Sequence, residues 1–246
     1  MSMRHRHAPL HNVSSMTTAA FFDLDNTVVR GSSLFPLAWS LVRSGRISSS
    51  EMVRFASMNA RFVGSRTESV TSRDYVMHRA LSLVSGQSVQ SIHSMCDELV
   101  PHLMRRRLNA HVVAEIDRHK FSGNQTWLVT ASPIELAERI ARALGMTGAL
   151  GTQAAHVGGF YTGELCGPIL HGPNKARAVS ALANVESLVL SRCSAYSDSI
   201  NDLPLLVMVG RPTVVNANRR LRQIALRNGW GVLTGRRTLA LETAAA

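Results

Sequence analysis

The chain has 246 residues, 45% of them hydrophobic, and a formal net charge of +11. That length and apolar content exclude global disorder and suffice for one large domain, or for a core carrying a smaller inserted domain. Cys96, Cys166 and Cys193 are odd in number, far apart and without CxxC spacing, which argues against a disulfide framework or a zinc site and fits free thiols in a reducing compartment.

Residues 1–17 are basic and polar, as in the run RHRHAPLHN, and lack the apolar stretch of a secretory signal. They are expected to form a disordered leader on a cytoplasmic protein. No membrane span is expected, because the most apolar stretch, Leu34 to Val42, is short and carries Pro36 and Ser40. Ala19 to Phe22 is a short apolar run leading into Asp23 and predicts a buried strand. From Ser33 to Leu108 apolar residues recur at helical spacing, as at Met52, Phe55 and Ala56, with Gly45, Gly64 and Gly86 as punctuation. The pattern predicts several helices joined by short turns, the last broken or kinked at Pro101. Strands and helices then alternate: a strand at Thr126–Val129, a helix from Pro133 to Leu144 closed by Gly145, a hairpin turning at Gly158-Gly159, and a helix over Asn174–Ala183. A strand at Ser194–Ser197, a helix from Asp202 and a strand at Thr213–Val215 follow. This alternation predicts an α/β fold, a Rossmann-like parallel sheet covered on both faces, with the helical block inserted after the first strand as a cap over the strand ends. The expected layout is a leader at 1–17, a core at 18–32 and 109–235, a helical cap at 33–108 and a flexible tail at 236–246.

Ligands of open parallel sheets bind at the carboxyl ends of the strands, and polar clusters lie at three such ends. They are Asp23-Leu24-Asp25-Asn26-Thr27, Thr130-Ala131-Ser132, and Ser197-Asp198-Ser199-Ile200-Asn201-Asp202, and Lys175 opens a helix after Gly172-Pro173-Asn174. Together they gather four carboxylates, one hydroxyl and one ammonium. That excess of negative charge calls for a hard divalent cation with oxygen ligands, for which Mg2+ is the best match. Asp23 and Asp25 stand two apart, so in extended backbone both face one side. One then serves as nucleophile (Asp23, kept ionised beside the metal) and the other as general acid/base (Asp25). Thr130, Lys175 and backbone N–H groups near Ala131 are placed to hold phosphoryl oxygens. Singly, a DxD is common in loops, Thr130 is an ordinary N-cap, Lys175 an ordinary solvated lysine, and Asp198 with Asp202 an ordinary surface pair. Their order, at successive strand ends, is what singles them out.

The motifs FFDLDNTVV, LVTASP, NKARAV and YSDSINDLPLL, in this order, resemble the haloacid dehalogenase superfamily and more narrowly its phosphoserine-phosphatase-like branch. The resemblance spans about Thr18 to Leu233. It implies a Rossmann-like core with a helical cap inserted after the first motif, Asp23 as nucleophile and Asp25 as acid/base. Thr130 and Lys175 correspond to the phosphate-binding residues and Asn201 to a site-lining one. Asp198 corresponds to the metal carboxylate with Asp202 supporting it, and the metal also takes the backbone carbonyl of Asp25. Dehalogenases of the superfamily lack the second aspartate, so Asp25 favours phosphoryl transfer. Phosphoserine phosphatases carry a glutamate nine residues after the nucleophile to meet the substrate amine. Here that position is Ser32, with Arg30 nearby and no acid between Val28 and Ser33, which argues against phosphoserine as the preferred substrate. Thr130-Ala131-Ser132 also replaces the usual Ser-Gly-Gly.

The expected function is Mg2+-dependent hydrolysis of a small phosphorylated metabolite. A phosphotransferase or mutase on the same scaffold, or a non-catalytic basic binding protein, are the alternatives. The +11 charge either marks a face for an anionic partner or is compositional. Lys occurs only at Lys120 and Lys175 and the other cations are Arg, a skew that favours composition. With no aromatic residues interleaved among the arginines, no nucleic-acid partner is expected. Arg105–Arg107 reads as a solvated helix face. Arg61, Arg66, Arg73, His78 and Arg79 are the candidates for substrate selection in the cap, with Glu51 or Glu68 as acids that could replace the missing glutamate.

Overall fold

A computed structural model describes residues 17–45, 48, 50, 81 and 84–234. The leader up to Met16, the tail from Gly235 and the cap candidates Glu51, Arg61, Arg66, Glu68, Arg73, His78 and Arg79 lie outside the described residues.

In chain order the elements are β1 (Ala19–Phe22), α1 (Leu34–Arg43), α2 (Val89–Arg107), α3 (Ala110–Phe121), β2 (Gln125–Pro133), α4 (Ile134–Ala143) and β3 (Gly148–Thr152). The hairpin β4 (Ala154–Val157) and β5 (Phe160–Leu165) comes next, then α5 (Pro173–Val185), β6 (Ser194–Ser197), α6 (Leu203–Met208), β7 (Arg211–Val215), α7 (Arg219–Arg227) and β8 (Gly231–Leu233). Six strands pair in the order β3-β2-β1-β6-β7-β8, all parallel, and β4-β5 form a separate antiparallel ribbon. This is a Rossmann-like α/β fold with helices inserted between β1 and β2. The strand order reverses between β1 and β6, which makes the crevice at their carboxyl ends the natural place for a ligand.

The two sheet faces carry two cores. Ala20, Phe22, Leu128 and Tyr196 point to one, where they meet α1 to α4 through Leu37, Ile92, Val112, Ile116, Leu136 and Ile140. Phe21, Val129, Ala195 and Val214 point to the other and meet α5, α6 and α7 through Val179, Leu205, Leu206, Leu221 and Ala225. The expectation of a sheet with helices on both faces holds: on the first face α3 reaches Tyr196 of β6, and Val215 and Leu233 join the same core. Beside Tyr196, Ser194, Arg211, Thr213 and Gly231 line a hollow on that face.

Two local expectations are corrected. Pro101 does not break α2, which runs through it. Pro101 has no N–H to offer the ladder, but Leu99, Val100 and Leu103 around it are buried, and this packing holds the helix together. The strand after Gly123 does not stop at Val129 but continues through a register shift to Pro133. No helix among the described residues is long and apolar enough to cross a membrane, and all three cysteines are free, with Cys96 and Cys193 buried.

Candidate active site

β1 delivers Asp23 to the crevice. Its backbone N–H donates to the carbonyl of Tyr196 at 2.9 Å, which ties the end of β1 to β6. The strand stops there. Residues 24–30 form a compact turn, with Val29 N–H donating to Leu24 O at 2.9 Å and Asn26 at φ +59°. Asp25 therefore reaches the site through the turn and not through strand alternation. Ser33 N–H donates to Asp25 Oδ1 at 2.8 Å, Ser132 Oγ–H to Oδ2 at 3.4 Å, and the two serine hydroxyls bond each other at 2.8 Å. Asp25 is half-buried whereas Ser33 and Ser132 are buried, so the carboxyl is anchored from below and open on one side.

α5 delivers Lys175. Gly172 turns the chain at φ +54°, Pro173 sits at the first helical position, and Lys175 falls in the first turn. Its ammonium is buried, ion-paired to Asp23 and 2.7 Å from Asp202 Oδ2. The same Asp202 oxygen accepts from Ser197 Oγ at 2.7 Å, and Ser197 Oγ accepts Ser199 N–H at 3.1 Å, which sets the turn after β6. Ser199 caps that turn by accepting Asn201 N–H. Asp23, Lys175, Asp202 and Ser197 thus form one buried chain of charge-assisted bonds, in which no member is replaceable without stranding another.

The electrostatics follow from burial. Burial pushes Asp23 up to about 6, with Lys175 pulling down and Asp202 and Asp25 pushing up. Asp198 rises further, to about 8, through burial and then through the charges of Asp23 and Asp202. Asp25 is also raised by burial, with the bonds from Ser33 holding it back. Burial opposes the charge on Lys175, yet Asp202 and Asp23 hold it above the ordinary lysine range. One ammonium among four carboxyls leaves a deficit of positive charge, and Asp202 Oδ1 is buried with no partner. An all-oxygen donor set short of positive charge fits a hard divalent cation. Among the described residues no group of three or more acidic, His or Cys side chains is arranged to hold a metal ion.

The remaining sequence-predicted residues fall as follows. Thr130 is buried and its hydroxyl oxygen accepts Ser132 N–H at 3.0 Å. The carbonyl of Ala131 is fixed by Thr152 Oγ1–H at 2.7 Å. Both sit in the extended end of β2, and α4 begins only at Ile134, so the N–H groups near Ala131 belong to a bulged strand and not to a helix start. The Asn201 carbonyl lies across from Gly172, where an added Cβ would stand 3.4 Å from it. Arg30 and Ser32 are exposed. Ser32 Oγ accepts Leu34 N–H, the carbonyl of Ser32 takes Arg107 Nη1–H, and Arg30 N–H donates to Arg107 O, so both border α2 and neither touches the aspartates. The sequence reasoning assigned no role to Ser33, Ser132 and Ser197. Ser132 and Ser197 stand inside the polar clusters already marked at strand ends, but a serine that only holds a carboxylate has no pattern of its own.

Fold and site together define the class: a Rossmann-like α/β protein with a carboxylate-rich site at the carboxyl ends of β1, β2 and β6. The profile of the haloacid dehalogenase-like hydrolases matches residues 20–207. The chain is 40% identical over 217 residues to the phosphoserine phosphatase SerB1 of Mycobacterium tuberculosis, covering 88% of this chain and 70% of that one. It is 28% identical to a histidinol-phosphatase of Neisseria meningitidis, covering 89% and 99%. Among solved structures, a Bordetella pertussis protein of unknown function aligns with a TM-score of 0.77 at 28% identity, over 89% of this chain and 99% of that one. The chain belongs to the haloacid dehalogenase-like hydrolase family, and it is an enzyme of that family's phosphomonoesterase type.

Proposed function

We propose that the enzyme hydrolyses a small-molecule phosphate monoester through an aspartyl-phosphate on Asp23, with Mg2+ as cofactor and phosphoserine as a poor substrate. The observation that carries this is the buried Asp23–Lys175–Asp202 chain next to a second, half-open aspartate. Asp23 attacks phosphorus while Asp25 gives its proton to the departing alcohol oxygen. Asp25 then takes a proton from the water that cleaves the Asp23–phosphate bond. Lys175, Thr130, Asn201 and the N–H of Ala131 hold the phosphoryl oxygens. Asp23, the carbonyl of Asp25, and Asp198 supported by Asp202 would hold the cation, which supplies the positive charge that offsets the phosphoryl oxygens. Residues 33–108 are the proposed cap over the strand ends, and the substrate is a cytoplasmic metabolite.

The substrate does not follow from the relatives' names, since one is named for phosphoserine and another for histidinol phosphate. Ser32 supplies a hydroxyl where an amine-binding carboxylate would stand, and a charged hydrogen bond of that kind is worth about 1.5–3 kcal/mol. Its loss should lower kcat/KM for phosphoserine by roughly one to two orders of magnitude.

The test is phosphate release from a panel of metabolite phosphates with Mg2+ and with EDTA, followed by borohydride trapping of the acyl phosphate. Turnover that survives EDTA, or a trapped residue other than Asp23, would overturn the mechanism. Phosphoserine emerging as the best substrate would overturn the specificity and leave the mechanism standing.

A further inference from the structure

The first face of the sheet, beside Tyr196, holds a hollow of about 340 Å3. In-register pairing of Ser194 with Arg211, Tyr196 with Thr213 and Thr213 with Gly231 turns these residues to one side, and α3 closes the edge with Glu115, Arg118 and His119. The volume lies at the lower end of small-molecule sites. Its strand lining is mixed: Ser194, Tyr196, Arg211, Thr213 and Gly231 stand beside the apolar Val232 and Leu233, whereas Ala195 and Val214 on the opposite face are buried and apolar.

The hydrogen bonds in the hollow are unequally satisfied. The inner wall is a closed network. Asn124 Nδ2–H donates to His119 Nδ1 at 2.9 Å, which leaves His119 Nε2–H for Tyr196 Oη at 3.0 Å. Tyr196 donates on to Glu115 at 2.8 Å, and Arg118 bonds both Glu115 and Tyr196. Burial and the charge of Arg118 hold His119 down at about 4, so it is neutral here. Glu115 is therefore answered by Arg118 within the wall. The outer wall is not closed. Among the described residues the guanidinium of Arg211 has no acidic partner and no hydrogen bond, and the hydroxyls of Ser194 and Thr213 make none either. Ser194 is only 4% exposed as a residue and lines the hollow. Gly231 leaves room for Thr213, since a Cβ there would come within 2.5 Å of Thr213 Oγ1.

A spare guanidinium flanked by two idle hydroxyls is a donor set without an acceptor, and its fork suits the oxygens of a phosphate, sulfate or carboxylate. We infer that this hollow, lined by none of the residues assigned to the phosphate-ester site, is a second binding site for a small oxyanion-bearing metabolite held by Arg211, Ser194 and Thr213. A link to catalysis is built in, because the carbonyl of Tyr196 accepts the N–H of Asp23 and the two residues after Tyr196 open the loop to Asp202. Occupancy at β6 and β7 then bears on the strand that positions the proposed nucleophile.

Site-resolved NMR of the full chain separates this site from the catalytic one. Titration with sodium sulfate, and in a second arm with sodium malonate, is done at constant ionic strength by replacing chloride. The amides of Arg211, Thr213 and Gly231 should shift saturably, and the arm that binds tighter assigns the tetrahedral or the carboxylate head group. Arg211→Gln should weaken that binding by roughly tenfold or more and leave turnover of a chromogenic phosphate ester, measured without added anion, unchanged. Ser194→Ala should weaken it less. Saturable shifts confined to the loops around Asp23 and Thr130, no saturation in either arm, or equal affinity in the Arg211→Gln protein would each overturn the site.

Discussion

Asp23 and Asp25 are chemically identical and are separated in role by what holds them. Asp23 has Lys175 against it inside the protein, whereas Asp25 is held by a backbone N–H and a serine hydroxyl, neither of which carries charge. Asp23→Asn keeps the size and a hydrogen-bond acceptor for Lys175 but removes the nucleophilic charge, so turnover should fall to background while the circular dichroism spectrum is retained. Residual turnover above about a thousandth of wild type would contradict a covalent role, given the usual effect of removing a nucleophile. Ser132→Ala tests the other carboxyl. Removing a donor to the ionised form raises the pKa of Asp25, so the protonated acid persists to higher pH. The alkaline limb of the kcat/KM profile should then move up by as much as about one pH unit, and a limb that stays in place would remove Ser132 from any control over the acid. The aspartates and Lys175 were legible in the sequence because charged side chains after apolar runs are conspicuous. Ser33, Ser132 and Ser197 were not, since their effect depends on which carboxylate the fold brings to them.

At the level of elements, β3 shows what apolar runs miss. Its sequence GALGT has two glycines and no β-branched residue before Thr152, so nothing in it announces a strand. Both glycines answer to packing. A Cβ at Gly151 would stand 2.7 Å from Ile134 Cα and 2.9 Å from Ile134 N, against backbone that cannot yield, whereas one at Gly148 would meet the ring of Trp127 at 2.5 Å. Gly151→Ala should therefore cost about 1–3 kcal/mol by overpacking, read as a lower urea midpoint. It should also lower kcat, because Ile134 lies just after Ser132, which bonds Asp25, and the proposed phosphate-binding residues Thr130 and Ala131. Gly148→Ala should leave kcat near wild type, since Trp127 lies earlier in β2 than those residues; a Gly148→Ala protein impaired in kcat as much as Gly151→Ala would refute this account. The helices that periodicity found and those it missed differ in the same way. α4 has its apolar residues on one face and was read to within a residue or two, whereas α3 interleaves them with Arg, His and Lys and was passed over, as was the short, arginine-rich α7. Pro101 shows the opposite error, a local breaker outweighed by the buried residues on either side of it.

For the whole molecule, the parallel sheet and its crevice were legible because strand ends and polar clusters coincide along the chain. The hollow beside Tyr196 was not, because alternation of strands and helices says nothing about which side each helix takes. The gathered carboxyls make a prediction at this scale, and its sign follows from their shifts. In metal-free protein Asp23 is raised from 3.8 to about 6 and Asp198 from 3.8 to about 8. Between about pH 4 and 8 the native state thus binds more protons than the unfolded chain, and stability falls as pH rises through that window. The contribution of these two acids is full below pH 3.8 and is lost as each ionises in the folded protein. A divalent cation favours the ionised forms, so it binds more tightly as pH rises and stabilises the native state in proportion to its occupancy. The difference in Tm between protein in Mg2+ and protein in EDTA should therefore be small at pH 5 and grow steadily to pH 8. Asp198→Asn removes the most strongly raised acid and one proposed cation ligand together. It should make the EDTA protein more stable than wild type at pH 8 and flatten its pH dependence, while shrinking the gain from Mg2+. Equal Tm differences at pH 5 and pH 8 in the wild-type protein would show that these carboxyls are not where the cation binds.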